Sequence, residues 1–473
     1  MYWYTFDYVF LASLKNIVIS VKNMNKILFF VIFYTGVIFS ETFIFNEENR
    51  ITFSSNDQRF PETIIHNNII HLTWVSVNGN DKNIFYAKSY DNGITFSVPI
   101  QINYNHNNII AYNQSGPKIE AYHNNIFITF TDNRSGLTDI YLSTSSDEGD
   151  TWEQEILISD TPYTNMYQDI DVDDNGKLHL VYFNFGSNYH LEDVRYRKFG
   201  DDSIQSSIRV GLVTNEEEPC DCCQPVIELD QLNNIYIAYR NNIQNIRDTY
   251  LAIKRYNESS FSEPLLVSYM QDQINFCPSS GPAMRIKNNE ISIAYTSYNH
   301  QNIYTSSSSL NDLDFNIYTN VNPENNSFQN YPFIALGDNS HLIWVDFENY
   351  DIYYGMYDKS TDLMHYIQKI NHSSESINLD PILLFNENMI YSFWSSQVGN
   401  YFEIYFSKTS DQTILLGDIN LDSYISIIDI LEIINIINGS IQPTNFELIA
   451  SDLNMDGNIN IQDIILIINI IIN

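Results

Sequence analysis

The chain has 473 residues, of which 58 are acidic and 23 are basic, so its formal net charge is −35. This balance argues against a nucleic-acid-binding protein, because contacts to phosphates need clustered Lys and Arg. Aromatic residues make up 14% of the chain, which gives enough apolar surface for folded domains and excludes a disordered protein.

The amino-terminal segment has the pattern of an export signal. Lys26 is followed by the apolar run Ile27–Phe39 and then by the small residue Ser40, in the order of a secretory leader and its cleavage point. The run is shorter than the ~20 residues of a membrane span, and a single anchor helix is the alternative. We therefore expect residues 1–40 to be removed and the mature protein, without a membrane span, to be secreted or attached to the cell surface.

Residues 41–412 repeat a pattern of four short strands. In one unit the strands are 117–122, 125–130, 139–144 and 151–158, rich in aromatic and β-branched residues and separated by Asn, Gly, Asp and Ser. Equivalent units begin near Pro61, Pro117, Gln168, Pro225, Pro282, Pro332 and Pro381. A four-stranded unit of about fifty residues is typical of a propeller blade. The sequence predicts an all-β propeller of seven blades, or six if one unit is irregular, closed by a strand from residues 43–53.

Two of these units end in the same octapeptide, S-x-D-x-G-x-T-[FW], at residues 89–96 and 145–152. In such a turn the Asp caps backbone amides, the Gly takes a positive φ and the aromatic ring fills the blade. The pattern resembles the Asp box of sialidases and related propellers, and the resemblance extends over roughly residues 55–410. It implies that the ligand site lies on the opposite face of the ring.

The resemblance to sialidases implies catalytic roles for residues of this chain. Arg59 matches an early Arg, Asp81 the general acid, Arg240 a second Arg and Tyr331 the nucleophile, whereas Gln224 replaces the Glu beside that nucleophile. A third Arg, expected near residues 299–301, is absent from the sequence. Because an amide cannot take the proton of a phenol, and several guanidinium groups are needed to hold a sialic acid, ordinary exo-sialidase activity is not expected. Another glycan reaction and binding without chemistry both stay open.

Two polar loops follow predicted second strands and are expected to face the same ligand. They contribute Arg134 on the second blade and Arg247 and Asp248 on the fourth as candidate ligand-binding residues. The alternative is that these charges pair with their neighbours and brace the blades.

All four cysteines lie in two loops that begin adjacent predicted blades: Cys220, Cys222, Cys223 and Cys277. In an exported protein they are expected to form disulfides that join the loops, with three pairings available. The alternative is a thiolate site for copper or zinc, completed by His190 or His300.

The composition shifts to Ile, Asn and Asp after Gly417, and one twelve-residue loop occurs twice, at Asp418–Asp429 and Asp452–Asp463. Oxygen ligands at positions 1, 3, 5 and 12 with a backbone carbonyl at position 7 are typical of a calcium loop. The predicted calcium ligands are Asp418, Asn420, Asp422, Tyr424, Asp429, Asp452, Asn454, Asp456, Asn458 and Asp463.

A duplicated loop of this kind, each followed by a predicted helix, resembles a dockerin, here over residues 416–473. The resemblance implies folding coupled to calcium and binding to a cohesin partner. Positions 10 and 11 of the loops then help to choose the partner: Ile427, Ile428, Ile461 and Gln462. The alternative is a calcium-stabilised cap without a cohesin.

The sequence therefore predicts a secreted, glycan-directed propeller tethered through a small α-helical calcium module. The leading hypothesis is a glycoside hydrolase of the sialidase superfamily, or a degenerate relative, in polysaccharide degradation. The rival hypothesis is a non-catalytic glycan-binding or adhesive propeller, and a third places a metal at the cysteines. A pair of carboxylates facing a pocket would favour the hydrolase, whereas an open face with only Arg and aromatic residues would favour the binding protein.

Overall fold

The computed structural model describes residues 39–40, 43, 45–104, 108–160, 162–186, 191–200, 205–211, 217–372, 376–409, 414–420, 422, 424–454 and 458–472. Apart from residues 39 and 40, the predicted leader lies outside this part of the chain. The chain divides into two compact units, with a boundary between residues 413 and 414.

The larger unit is an all-β propeller, and the described residues form seven antiparallel blades, as the repeat predicts. Blade 1 contains Asp57–His66, Ile69–Asn78, Asp81–Ser89 and Ile100–Gln101; blade 2 contains Ile109–Ile110, Lys118–Tyr122, Asn125–Asp132, Asp139–Ser145 and Ile156–Leu157; and blade 3 contains Thr164–Val172, Leu178–Phe185, Leu191–Phe199 and Ile208–Val210. Blade 4 contains Glu217–Pro219, Val226–Leu229, Ile235–Ile243, Thr249–Lys254 and Leu265–Leu266, and blade 5 contains Ala283–Lys287, Glu290–Ser297, Asn302–Ser309 and Thr319–Asn320. Blade 6 contains Gln329–Leu336, Ser340–Asp346, Asp351–Asp358 and Leu363–Lys369, and blade 7 contains Asn378–Asn386, Met389–Val398, Tyr401–Lys408 and the amino-terminal strand Asn49–Arg50.

The strand that closes the ring comes from the predicted segment near the amino terminus. Asn49–Arg50 pairs with the third strand of blade 7, where Arg50 lies opposite Tyr405. Arg50 Nη2 also donates to the buried Glu403 carboxylate at 2.6 Å. The last blade therefore joins the two ends of the propeller sequence, which leaves few open sheet edges in the ring.

The second strands of the blades are buried along most of their length because neighbouring blades cover both faces. Every residue of Leu178–Phe185 is buried, and the second strands of blades 1, 6 and 7 each bury a tryptophan: Trp74, Trp344 and Trp394. This burial explains why the sequence reads as apolar runs rather than as strict alternation.

The two octapeptide turns have the geometry that their sequence predicts. Asp91 accepts hydrogen bonds from the backbone N–H and the hydroxyl of Thr95 at 2.8 and 2.7 Å, and Asp147 accepts the equivalent pair from Thr151. Each turn connects the third and fourth strands of its blade. The turns therefore lie on the face away from the starts of the first strands.

Four of the first strands begin with a β-bulge. At the bulge the residues Phe60, Tyr167, Tyr331 and Asp380 adopt φ values between 56° and 59°. A bulky residue with positive φ costs on the order of 1–3 kcal/mol, and such residues cluster at functional sites. This strained backbone lies at one end of the propeller axis.

The smaller unit contains three helices: α1 Ile427–Ile437, α2 Asn445–Ser451 and α3 Ile461–Ile472. Phe39–Ser40 pairs with Ile414–Leu415 in a two-stranded sheet. Helix α1 packs against α3, and each buries one isoleucine completely, Ile433 and Ile467. No helix among the described residues has the length and apolar character needed to cross a membrane.

Candidate functional site

The first strands of the seven blades surround a cavity of about 120 Å³ on the propeller axis. Its wall is polar on the side of blades 1 to 5 and largely apolar on the side of blades 6 and 7. The polar lining residues are Glu62, Asn113, Gln114, Lys118, Glu120, Asp169, Gln224, Glu228, Arg285, Tyr331 and Asp380.

Four side chains from different blades form a cluster at the mouth of this cavity. Arg59 donates from Nε and Nη2 to the two carboxylate oxygens of Asp380 at 2.7 and 3.2 Å. Nη2 also donates to Asn113 Oδ1 at 3.4 Å, and Asn113 Nδ2 donates to the Tyr331 hydroxyl at 3.2 Å. We call these four residues the mouth cluster; it joins blades 1, 2, 6 and 7.

Asp380 holds Arg59 in place, and its carboxylate accepts hydrogen bonds from further groups. Its Oδ2 also accepts from Ser395 Oγ at 2.8 Å and from the Phe60 backbone N–H at 3.3 Å. Burial acts to lower the pKa of Arg59, but the Asp380 carboxylate outweighs this and raises it. Arg59 is therefore a fixed positive charge, and its Nη1 has no protein hydrogen-bond partner among the described residues.

Tyr331 is a protonated phenol at neutral pH. Burial raises its pKa, the hydrogen bond from Asn113 lowers it, the nearby Asp380 raises it and Arg59 lowers it, with a net increase. The residue can donate a proton as it stands, and it can accept one only after a ligand or a base has changed its surroundings.

A tight turn of blade 2 crosses the axis above the cavity. The backbones of Tyr112 and Ser115 exchange hydrogen bonds at 2.9 and 3.4 Å. Gln114 Oε1 accepts from the Gly281 backbone N–H of blade 5 at 2.7 Å. A side chain at Gly281 would collide with the backbone of Gln224, so glycine is required there. The turn places Asn113 in the mouth cluster and partly covers the charges below.

Beneath the mouth, seven charged side chains from the first strands occupy the axis. Lys118 Nζ lies 2.8 Å from Glu62 Oε2 and 3.9 Å from Asp169 Oδ1. Arg285 Nη1 lies 2.8 Å from Glu228 Oε1. Glu120 and Asp171 complete the group, so five carboxylates face only two bases. Burial raises the pKa of Glu120 well above its usual range, that of Asp171 to about 6 and that of Glu228 to about 8.

We expect this excess of buried acid to make the propeller less stable as the pH rises. The folded pKa values lie above the unfolded ones, so the folded state binds more protons, and the stabilisation present below about pH 4 is lost progressively up to about pH 8. Glu120→Gln removes an acidic group from the cavity without breaking an ion pair, and it should raise the free energy of unfolding at pH 8 by about 2 kcal/mol. Thermal unfolding midpoints at pH 5 and pH 8 measure the effect.

The control for this substitution is Glu153→Gln, which changes an exposed acid of the same blade. It should leave both midpoints unchanged. If Glu120→Gln and the unmodified protein lose stability in parallel between the two pH values, Glu120 does not contribute to the pH dependence.

Of the five predicted catalytic residues, the structure brings Arg59 and Tyr331 together through Asn113. Gln224 lines the same cavity, but its Nε2 donates to the backbone oxygen of Gln168 at 2.5 Å, so it braces blade 4 against blade 3. The other two, Arg240 and Asp81, do not line the cavity.

Arg240 is completely buried between blades 4 and 5. It donates from Nη2 to the Thr296 backbone oxygen, and its guanidinium lies 5.6 Å from the Tyr298 ring centre. Asp81 is exposed at the first residue of the third strand of blade 1. The complete set of sialidase-like residues is therefore not assembled around one pocket.

The predicted ligand-binding residues are engaged inside their own blades. Arg134 pairs with Asp132 at 2.7 Å and with Glu155 at 2.5 Å. Asp248 accepts from Ser268 Oγ at 3.0 Å, and burial raises its pKa. Arg247 Nη1 donates to Cys220 Sγ at 2.9 Å. The sequence also allowed the alternative that these charged residues pair with their neighbours and brace the blades, and the observed contacts are of that kind.

Cys222 and Cys277 form a disulfide between the two predicted loops, whereas Cys220 and Cys223 are free and buried. Among the described residues, neither group of potential metal ligands that includes these cysteines contains a histidine. His300 Nδ1 lies 2.8 Å from Ser297 Oγ, and His190 is outside the described residues.

Sequence reasoning missed Asn113 and Asp380, although one signal for the second was available. Asp380-Pro381 occupies the same unit position as Phe60-Pro61 and Tyr331-Pro332. The residue before each proline is the bulged residue of its strand. Asn113 gives no comparable signal, because its role depends on a turn that crosses the ring.

A row of aromatic rings leads from the surface to the mouth. Neighbouring ring centres lie 5.2 to 5.7 Å apart along the series Phe276, Tyr298, Phe328, Phe347 and Tyr331, with Tyr350 beside Phe347. Phe276 at the outer end of the series is 55% exposed, and Tyr350 at its side is 37% exposed. We call this set the aromatic row.

The two predicted calcium loops have matching internal geometry. In the first, Asp429 Oδ1 accepts from the Ile419 and Asn420 N–H groups at 2.8 and 3.2 Å, and Oδ2 accepts from Ser426 N–H at 2.7 Å. In the second, Asp463 accepts from Leu453, Asn454 and Asn460 N–H groups at 3.0, 3.4 and 2.9 Å.

These loops fit a hard divalent cation. Both Asp429 and Asp463 are completely buried, and neither has a basic ion-pair partner among the described residues. Their donor set of carboxylate and carbonyl oxygens is the one that calcium prefers. Asp456 lies outside the described residues. Ile427, Ile428 and Ile461 at the helix starts are 66%, 53% and 69% exposed, which is typical of a surface that binds a partner.

Comparison with known proteins separates the two units. Residues 416–472 match the dockerin type I domain. A polysaccharide lyase, the PL25 ulvan lyase bound to -[GlcA(1-4)Rha3S]-, has a similar structure with a TM-score of 0.50 and 10% identity, covering 76% of this chain and 94% of that chain. A second structure of PL25 ulvan lyase has a TM-score of 0.50 and 11% identity, and the match covers 78% of this chain and 96% of that chain.

The sialidase of Trypanosoma rangeli in complex with the inhibitor DANA gives a TM-score of 0.38 and 10% identity, covering 81% of this chain and 58% of that chain. None of the curated protein sequences matches the chain significantly. At these identities the similar structures show the propeller fold alone.

Proposed function

We propose that this chain, which joins a seven-bladed β-propeller to a dockerin type I domain, is a secreted enzyme that cleaves an extracellular polysaccharide. The supporting observation is the mouth cluster, in which a guanidinium with an open Nη1, a carboxamide and a protonated phenol meet at the end of the aromatic row. Cation and amide donors can orient a sugar, and the phenol of Tyr331 can transfer a proton in the reaction.

The aromatic row supports a polymeric substrate rather than a single sugar. Exposed aromatic rings that lead to polar groups in a pocket can pack against the apolar faces of successive sugar rings. The row extends from Phe276 past Phe347 to Tyr331, so several sugars can be bound while one linkage lies at the mouth.

The contents of the mouth favour elimination next to a uronate carboxyl group. Hydrolysis by the usual route needs two carboxyl groups, whereas the mouth cluster contains only Asp380, whose two oxygens already accept hydrogen bonds from Arg59. In an elimination, Arg59 and Asn113 would hold the uronate carboxyl group. Tyr331, deprotonated once that group is bound, would take the proton from the carbon next to it and pass that proton to the oxygen of the leaving sugar as the double bond forms. Ulvan lyase, which shares the fold and is bound to a saccharide with GlcA, supports this candidate.

Hydrolysis is the second candidate, and a different observation favours it. Glu62 and Asp169 both face Lys118 across the cavity, at 2.8 and 3.9 Å from its Nζ. Two carboxyl groups separated by roughly 5–10 Å can act as acid and base, or as acid and nucleophile. A sugar would reach them only after the turn of blade 2 has moved.

A panel of neutral and uronate-containing polysaccharides, incubated with the full chain, tests the proposal. Elimination yields products with a conjugated double bond that absorbs ultraviolet light; hydrolysis yields new reducing ends without that absorption. Release by either route supports the cleaving enzyme. Retention of a polysaccharide without any release would instead establish the non-catalytic binding protein. If the protein neither retains nor cleaves any polysaccharide of the panel, the proposal that it acts on glycans is wrong.

Salt dependence separates the two substrate classes. A chain with a net charge of −35 repels a uronate polymer at low ionic strength, and this repulsion is screened over about 8 Å at physiological ionic strength. We expect kcat/KM on a uronate polysaccharide to rise several-fold between roughly 0.01 and 0.15 M ionic strength. A neutral polysaccharide should show no such increase and serves as the control. A fall in kcat/KM with salt would contradict an acidic substrate.

The carboxyl-terminal unit completes the proposal. Calcium bound by the two loops would stabilise the helices, and the exposed isoleucines at the helix starts would bind a cohesin-type partner outside the cell. The propeller would thereby be held near the polysaccharide on which it acts.

A further inference from the structure

The free cysteines form a close pair inside the propeller. Cys220 Sγ lies 3.0 Å from Cys223 Sγ, and the two residues are 1% and 0% exposed. The backbone N–H of Cys223 donates to the Cys220 oxygen at 3.2 Å, so the residues between them form a tight turn. A turn of this kind brings the Cα atoms within about 7 Å, close to the separation that a disulfide requires.

Two arginines, the buried Arg240 and the half-buried Arg247, stabilise a negative charge on this pair. Arg247 Nη1 donates to Cys220 Sγ at 2.9 Å. Among the described residues, Arg240 Nε and Nη1 and Arg247 Nε have no hydrogen-bond partner, and the nearest carboxylate oxygen to Arg240 Nη1 is Asp272 Oδ2 at 3.9 Å. The hydrogen bond from Cys223 lowers the pKa of Cys220 to about 7, burial opposes this, and both arginines add to the lowering. A thiolate is the nucleophilic form of cysteine.

The existing disulfide lies between this buried pair and the solvent. Cys222 Sγ is 3.9 Å from Cys220 Sγ and 3.9 Å from Cys223 Sγ. Its partner Cys277 is exposed. Four sulfur atoms therefore form a continuous path from the protein interior to the surface.

We propose that the four cysteines form a thiol–disulfide relay, in which the buried Cys220–Cys223 pair exchanges electrons with small external disulfides and thiols through the exposed Cys222–Cys277 disulfide. This inference is independent of the glycan site. The chain supplies every group of the relay except the external disulfide or thiol.

The relay consists of balanced exchange steps. The Cys220 thiolate attacks Cys222 Sγ, forms a Cys220–Cys222 disulfide and releases the Cys277 thiolate. Cys223 loses its proton to a released thiolate and attacks Cys220 Sγ, which forms Cys220–Cys223 and releases the Cys222 thiolate. Cys277 then attacks the external disulfide and releases one thiol, and Cys222 attacks Cys277 Sγ and releases the second. In sum, two buried thiols and one external disulfide become one buried disulfide and two external thiols.

The test starts from fully reduced full-length protein, to which oxidised glutathione is added. Samples taken over time are quenched with acid, alkylated and mapped by peptide mass spectrometry. The unmodified protein should first form Cys222–Cys277 and then Cys220–Cys223. The double variant Cys222→Ser/Cys277→Ser should close the buried pair at least tenfold more slowly, because glutathione does not reach it directly.

Hydrogen peroxide provides the matched control, since it is small and needs no relay. It oxidises the Cys220 thiolate to a sulfenic acid, which condenses with Cys223 to the disulfide and releases water. The double variant should close the pair with peroxide as fast as the unmodified protein does, and tryptophan fluorescence should show that the blades are intact.

Three results would overturn the relay. The first is equal rates with glutathione in the double variant and the unmodified protein. The second is an end product in which Cys222 is bonded to Cys220 or Cys223, or in which Cys220–Cys223 is absent with both oxidants. The third is stoichiometric copper or zinc in the purified protein, which would establish the thiolate metal site instead.

Discussion

Replacing Tyr331 by Phe is expected to lower kcat on the cleaved polysaccharide by about 10³-fold while KM stays nearly constant. The substitution removes only the phenolic oxygen, which accepts the hydrogen bond from Asn113 at 3.2 Å. The ring stays in the aromatic row, so the sugar is still bound. Loss of kcat without a change in KM is the signature of a group that acts in the transition state, and steady-state kinetics measures it.

Tyr167→Phe is the matched control. Tyr167 lies at the equivalent bulge in the first strand of blade 3, with a φ of 59° against 56° for Tyr331, but it does not line the cavity. Its substitution should leave kcat and KM unchanged. If Tyr331→Phe retains activity, the phenol has no role in the chemistry, and Glu62→Gln becomes the test of the hydrolytic route.

Removal of calcium is expected to abolish the three helices of the carboxyl-terminal unit. In the first loop, Asp418 Oδ1 accepts from the Asp422 N–H at 3.0 Å and Asp429 Oδ1 accepts from the Ile419 N–H at 2.8 Å, so acidic side chains crowd one short segment. The sequence has Asp at the same three positions of the second loop. Without a cation these carboxylates repel, and folding free energy in such a module comes largely from the metal. Far-ultraviolet circular dichroism before and after addition of a calcium chelator measures the loss of helicity.

Tryptophan fluorescence gives an internal control, because residues 414–473 contain no tryptophan. It should not change on chelation if the propeller blades remain folded. Calcium should restore the helicity, whereas magnesium should not, since magnesium requires a more rigid octahedral site and gives up its water reluctantly. Unchanged helicity after chelation would show that the loops fold without the metal, and the predicted cohesin surface would then need another explanation.

The blades could be predicted from the sequence because their signals are local. The unit that begins at Pro117 shows four strand patterns within about forty residues, and the two octapeptide turns at residues 89–96 and 145–152 specify their own hydrogen bonds through Asp, Gly and Thr. The calcium loops could be predicted from the sequence for the same reason, since the predicted ligands of each loop lie within twelve consecutive positions.

The roles of the charged loop residues could not be predicted in this way. Arg134 and Asp248 follow second strands as expected, and Arg240 lies within one. Whether such a side chain faces a ligand or a neighbouring strand depends on the groups that surround it in the folded ring. Arg240 finds a backbone oxygen of blade 5, and Arg134 finds Asp132 and Glu155 in its own blade.

By itself, the sequence determined the propeller, its repeated four-stranded unit and the carboxyl-terminal dockerin module, because neighbouring residues carry these patterns. Only the tertiary structure decided the site, where Arg59 meets Asp380 across 321 positions of the chain and Asn113 meets Tyr331 across 218. Closure of the ring creates these contacts, and it depends on the packing of all seven blades rather than on any local pattern.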